Sequence, residues 1–168
     1  MNPRKPLRIN VGFLINSEAG YSHDIPFDEE TVQVAEDLTL RGFTGNAHFS
    51  RTPQGLLLTG KFEGRLDLEC VRCLNPFEHT TRWSMTELFA FHPKPDSEEL
   101  PLPDDAQLDL ALLVRDYTFT ELPIKPVCKP DCKGLCPVCG QDLNKKDCGH
   151  RPEENDSPFA SLKDLLKN

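Results

Sequence analysis

Seven cysteines and one histidine fall in a pattern that can bind metal: Cys70-x2-Cys73, Cys128-x3-Cys132, Cys136-x2-Cys139, and Cys148 with His150 two residues on. Two cysteines separated by two or three residues can be carried on one tight turn. That turn sets their sulfurs about 3.7 Å apart, as two ligands at a Zn–S distance of about 2.3 Å require. Seven thiols and one imidazole give eight donors, enough for two tetrahedral zinc ions with none left over. Thiolate and imidazole favour zinc, although iron is chemically possible. Cys136-Pro137-Val138-Cys139-Gly140 is the strongest element, because a glycine after the second cysteine lets the turn close.

The count of donors is firmer than their pairing. Cys136, Cys139, Cys148 and His150 can close locally over Gly140 to Asp147 at small loop-entropy cost, which leaves Cys70, Cys73, Cys128 and Cys132 as the second set. The alternative joins the two Cys-x2-Cys elements in one ribbon-like site. Three other readings compete: a redox Cys-x2-Cys, a catalytic zinc, and a Cys70 pair that holds no metal. No βαβ pattern surrounds either pair, and eight donors leave no open position for catalysis. His23, His48, His79 and His92 are scattered and read as surface or core residues.

These donors must be positioned by the elements around them. From Leu7 to about Phe91 the chain reads as strands separated by Gly, Pro, Asn and Asp. Leu56, Leu58, Phe62, Leu66 and Leu68 share one face, with Thr59, Lys61, Glu63, Arg65, Asp67 and Glu69 on the other. Glycines at 60 and 64 permit sharp coiling or close backbone approach, or else a turn at Glu63-Gly64 dividing two short strands. A second alternating run, Phe77 to Phe91, pairs with the first, and Cys70 to Pro76 becomes the loop between them. Residues 92–105 are proline-rich and acidic, and read as a linker or loop. A helix near 109–121 starts at Asp109 as N-cap, carries Leu110, Leu113, Val114 and Tyr117 on one stripe, and stops before Pro123.

The stretch 123–151 has too few apolar residues to fold by burial, so bound metal is expected to supply its stability. Residues 152–168 form a tail with a short amphipathic helix, opened by Ser157-Pro158 and striped by Phe159, Leu162, Leu165 and Leu166. The expected architecture is therefore α+β, with a mainly antiparallel, barrel-like sheet in residues 1–122.

Composition bounds the function. No apolar run of about 18 residues is present to span a bilayer as a helix. The apolar stretch Val11–Ile15 is too short for a signal-peptide core, and clustered thiols fit a reducing cytoplasm, where disulfides rarely persist. The formal net charge is −8, from 27 acidic and 19 basic residues, so any nucleic-acid contact must be local.

Several blocks together carry a family resemblance: Glu69-Cys70-Val71-Arg72-Cys73-Leu74-Asn75-Pro76, Leu122-Pro123-Ile124-Lys125-Pro126-Val127-Cys128, Cys132 to Asn144, and Ser157-Pro158-Phe159 with Leu162 to Leu165. They resemble the YceD-like family of large-subunit ribosomal RNA accumulation proteins over roughly residues 5–168. The resemblance implies a non-catalytic role in large-subunit (23S-type) ribosomal RNA accumulation and ribosome assembly, with structural zinc. It also implies large-subunit precursors, ribosomal RNA or ribosomal proteins as partners. One departure is His150, where the family has the second thiol of a Cys-x-Cys ending.

Residues 125–151 carry Lys125, Lys129, Lys133, Lys145, Lys146 and Arg151 against Asp131, Asp142 and Asp147. Lys129, Lys133, Lys145 and Lys146 form a rim suited to RNA or partner contact, or to solvation alone. The segment has no aromatic residue for stacking, which argues against sequence-specific single-strand readout. The competing functions are a nucleic-acid-binding zinc module in gene regulation, a thiol redox protein and a nuclease.

Overall fold

The computed structural model describes residues 6–94 and 99–151. In chain order its elements are β1 (Arg8–Asn10), α1 (Gly12–Ile15), β2 (Ser22–Ala35), β3 (Leu38–Thr52), β4 (Gly55–Glu69), β5 (Pro76–Ala90), β6 (Leu100–Pro101), β7 (Gln107–Asp109) and α2 (Ala111–Glu121). One sheet holds five strands in the order β2-β3-β4-β5-β6, and β1 pairs with β7 in a second, two-stranded antiparallel sheet. No helix among the described residues is long and apolar enough to cross a membrane.

The alternation in β4 and β5 does what period-two patterning requires. Leu56, Leu58, Phe62 and Leu66 are buried, Leu68 packs against the core, and the strand runs unbroken through Glu63-Gly64. On β5 the buried positions are Thr81, Trp83, Met85, Phe89 and Ala90. The rings of Phe43, Phe62 and Trp83 stack on one another with centroids 5.8 to 6.2 Å apart, and Phe27 meets Phe43 and Phe62 edge-on. All four of these rings are buried.

Closure into a barrel, expected from the sequence, does not occur: among the described residues β2 and β6 are not paired and the sheet is open. The reason lies in the closing strand. β6 has two residues, runs parallel to β5 only at Phe89 and Ala90, and ends on Pro101, which has no N–H to give. A closed barrel needs a continuous, staggered ladder around its whole circumference.

The helix also starts later than expected. Asp109 ends β7, and its carboxylate accepts the Ala111 N–H at 3.0 Å, while Leu110 occupies the N-cap position. Leu110 and Val114 are buried, and Leu113 and Tyr117 pack against the core. Thr118, absent from the expected stripe, is also buried; its hydroxyl donates to the Val114 carbonyl at 2.6 Å, which satisfies it locally. The expected tail helix of residues 157–166 lies outside the described residues.

One close approach explains a glycine. Gly45 of β3 is paired with Phe62 of β4, and a Cβ there would lie 2.6 Å from the Lys61 carbonyl oxygen, a backbone atom that no rotamer change can move. Gly45→Ala should therefore destabilise the sheet by about 1–3 kcal/mol, read as a lower urea midpoint with unchanged slope.

Candidate metal centres

The strand β4 ends at Glu69, and Cys70 to Asn75 make the loop into β5. Leu74 N–H donates to the Cys70 carbonyl (2.8 Å) and Cys70 N–H to the Asn75 carbonyl (3.0 Å). The second Cys-x2-Cys loop repeats this pattern: Gly140 N–H donates to the Cys136 carbonyl (2.9 Å) and Cys136 N–H to the Gln141 carbonyl (2.8 Å). Both loops need a left-handed residue after their second cysteine. It is Gly140 (φ 72°) in one and Leu74 (φ 58°) in the other. Among the described residues, the Glu69–Pro76 loop and the chain from Val127 onward belong to one compact unit.

The structure brings the eight sequence-selected donors together in two sets. Cys70, Cys73, Cys128 and Cys132 form one, and Cys136, Cys139, Cys148 and His150 the other; within each, the donor atoms lie within 4.8 Å of one another. In the first set Cys70 Sγ is 3.8 Å from Cys132 Sγ, and Cys73 Sγ is 3.8 Å from Cys128 Sγ. These are close to the sulfur separation a tetrahedral zinc thiolate centre imposes, about 3.7 Å. In the second set His150 Nδ1 is 3.4 Å from Cys148 Sγ, with Gly149 between them at φ 77°.

The sets differ in exposure. Cys70, Cys73 and Cys132 are buried, whereas Cys139 and His150 are exposed and only Cys136 of the second set is buried. Arg72 braces the enclosed set by donating to the Cys132 carbonyl (3.0 Å) and the Pro130 carbonyl (3.3 Å), and its own carbonyl accepts Leu135 N–H (2.9 Å).

The electrostatics fit a cation at each set. Burial pushes the Cys128 thiol up to about 12, with the crowding thiols of Cys132, Cys70 and Cys73 adding to the rise. Burial also opposes ionisation of Cys70, but backbone N–H groups of Cys128, Cys73 and Arg72 outweigh it and hold that thiol down to about 6. Cys136 is likewise held at about 6, chiefly by the N–H groups of Cys139 and Val138. The His150 N–H favours a thiolate at Cys148, yet the neighbouring Cys136 thiol, burial and Cys139 together push it up. Each set can thus hold a first thiolate cheaply, while further ones repel it unless a positive ion lies between them. The donor chemistry suits a borderline-soft divalent metal.

The four rim lysines are all exposed on the same unit. Lys129 lies 3.8 Å from Asp131 and Lys145 3.9 Å from Asp142; Lys133 follows Cys132, and Lys146 shares with Lys145 a backbone bond to the Asp142 carbonyl. Sequence reasoning missed Asn75 and Asn144, whose side-chain amides approach Cys73 Sγ (3.5 Å) and Cys132 Sγ (3.4 Å). Asparagine is so common in turns that only its recurrence beside each cysteine loop could have drawn attention to it.

Fold and donors together define a β-rich protein carrying two four-donor candidate metal centres on cysteine loops. Residues 58–166 match the family model described as Large ribosomal RNA subunit accumulation protein YceD, and the chain belongs to that family. It is 39% identical over 121 residues to an uncharacterized protein of Mycobacterium tuberculosis and to one of Mycobacterium bovis, covering 67% of this chain and 56% of each relative. The chain thus spans about half the length of these curated relatives. An Arabidopsis thaliana protein named Large ribosomal RNA subunit accumulation protein YCED homolog 1, chloroplastic, is 35% identical over 63 residues, covering 38% of this chain and 20% of that protein. No solved structure matches.

The two left-handed positions give a matched test. A Cβ at Gly140 meets nothing within 4 Å, so Gly140→Ala adds backbone strain alone. That strain, about 1–2 kcal/mol, should weaken metal binding at the second set by roughly tenfold in a competition titration. Leu74→Gly should leave affinity at the first set unchanged or tighter.

Proposed function

We propose that this protein is a non-catalytic factor supporting large-subunit ribosomal RNA accumulation and ribosome assembly, with two structural zinc ions held by Cys70, Cys73, Cys128 and Cys132 and by Cys136, Cys139, Cys148 and His150. The observation that carries this reading is the family match over residues 58–166, a stretch containing all eight donors. The name borne by the Arabidopsis thaliana and Zea mays relatives supports the ribosomal assignment.

In this reading residues 1–122 are the β-rich part, which lends its Glu69–Pro76 loop to the metal-binding part at 123–151, and 152–168 are a tail. The protein works in the cytoplasm, where reduced thiols keep metal. Four donors at each centre saturate a tetrahedral ion and leave no position for substrate, so zinc would contribute folding energy rather than chemistry. Lys129, Lys133, Lys145 and Lys146 project from this part, and we assign them contact with ribosomal RNA phosphates or with an acidic partner surface. A nucleic-acid-binding zinc module in gene regulation is the second reading, favoured by the same exposed lysines.

Sedimentation separates the two. A ribosome-assembly factor migrates with large-subunit precursors in a sucrose gradient, and a gene regulator does not. The metal-replete protein should contain two zinc ions; less than one equivalent by elemental analysis would overturn the metal assignment. Replacing the four lysines with glutamine should retain zinc but weaken precursor association and make its salt dependence shallower, by roughly one unit of log–log slope for each phosphate no longer neutralised. An unchanged gradient profile would place the binding surface elsewhere on the protein.

A further inference from the structure

Asp142 lies in the loop that the second donor set closes, between Cys139 and Cys148, yet its side chain reaches toward the first set. The carboxylate is only 12% exposed. Its Oδ2 accepts from Asn75 Nδ2 at 3.0 Å, and its Oδ1 accepts from both Asn144 Nδ2 and Asn144 N at 2.9 Å. Each of these two amide groups also faces a sulfur of the first set, Asn75 that of Cys73 and Asn144 that of Cys132. Asn144 Oδ1 is occupied as well, accepting Lys133 N–H at 2.9 Å.

The chemistry fixes the orientation of both amides. An ionised carboxylate only accepts, so it must face their NH2 groups, and an NH2 group has two hydrogens. One points at Asp142 and the other is left for the sulfur. Donors to a metal-bound thiolate drain negative charge from it and hold the ligand in place. A four-thiolate centre with a divalent ion carries two net negative charges, so it gains most from such donors.

Backbone pairing ties the same loop down. Leu135 and Asp142 form an antiparallel bridge, Leu143 N–H donates to the Gly134 carbonyl (3.0 Å), and Leu135 N–H donates to the Arg72 carbonyl (2.9 Å). Gly134 is buried, and a Cβ there would sit 2.9 Å from that Arg72 carbonyl. The loop that presents Asp142 is therefore in register with the loop that presents Cys73.

We propose that Asn75, Asp142 and Asn144 form a carboxylate–amide bracket that couples the two metal centres, so that metal at one raises the affinity of the other. This rests on reading the two donor sets as metal centres. Closing the Cys139–Cys148 loop on an ion orders Asp142; Asp142 aims the two amides; the amides stabilise the thiolates of Cys73 and Cys132. By linkage the effect runs equally in reverse. The three residues are positioning residues, and none is a ligand.

Cobalt(II) tests this on the full chain, because a four-sulfur centre and a three-sulfur, one-nitrogen centre differ in their d–d absorption and can be followed separately. Removing the second centre with Cys139→Ser and Cys148→Ser should lower cobalt affinity at the four-sulfur centre by roughly tenfold, within the range second-layer contacts command. In an Asp142→Ala background the same removal should produce no further loss. If Asp142→Ala itself prevents cobalt binding, Asp142→Asn, which keeps the shape and one acceptor, carries the comparison and should show reduced coupling. Asn144→Asp, which replaces a donor facing sulfur by an acceptor, should weaken the four-sulfur centre while leaving the far-ultraviolet circular dichroism of the sheet unchanged. Equal cobalt affinity at the four-sulfur centre with and without the second centre would overturn the coupling. Absence of thiolate-to-cobalt charge-transfer bands at both centres would instead overturn the metal reading beneath it.

Discussion

Four sulfurs within 4.8 Å of one another constitute the interaction on which the rest of this unit depends. From Val127 to Arg151 the described chain buries Cys132, Gly134 and Cys136, and no large aliphatic or aromatic side chain joins them in the buried class. Apolar burial is worth roughly 25 cal/mol per Å2, so a segment with so little of it cannot offset the entropy of its own ordering. Crowded thiols make matters worse, since each thiolate disfavours the next. A divalent ion held there would reverse both terms: it would turn mutual repulsion into shared attraction and close several turns at once.

The β-rich unit answers to a different constraint. Its strands are long, and its core is built around the stacked rings of Phe43, Phe62 and Trp83. Gly45 gives the backbones room to approach where Phe62 lies. The family match reaches into that core from residue 58 onward.

How far these features were legible in the sequence depends on the range of the interaction that makes them. Alternation in Leu56–Glu69, broken on the polar face by Leu57 alone, and in Phe77–Phe91 exposes the two central strands, because side-chain direction in a strand is a local property. Cysteine spacing exposes the loops for the same reason, and the small entropy of a short closure favours grouping Cys136, Cys139, Cys148 and His150. Barrel closure was misjudged because it depends on which strand meets β2, and the candidate partner, β6, is two residues ending in a proline. The helix start was displaced by one pairing: β7 claims Asp109 for β1, so the helix begins at Ala111. Asn75, Asp142 and Asn144 stayed hidden because their roles are set by contacts as distant as 67 positions along the chain.

X-ray absorption at the zinc edge of fully loaded protein tests the central claim, that eight side chains make two four-coordinate centres, most directly. Seven sulfurs and one nitrogen shared by two ions predict an average first shell of 3.5 sulfurs at about 2.3 Å and 0.5 nitrogen at about 2.0–2.1 Å. A first shell averaging two or more oxygen or nitrogen neighbours per zinc would contradict it, because some of the eight donors would then not be ligands.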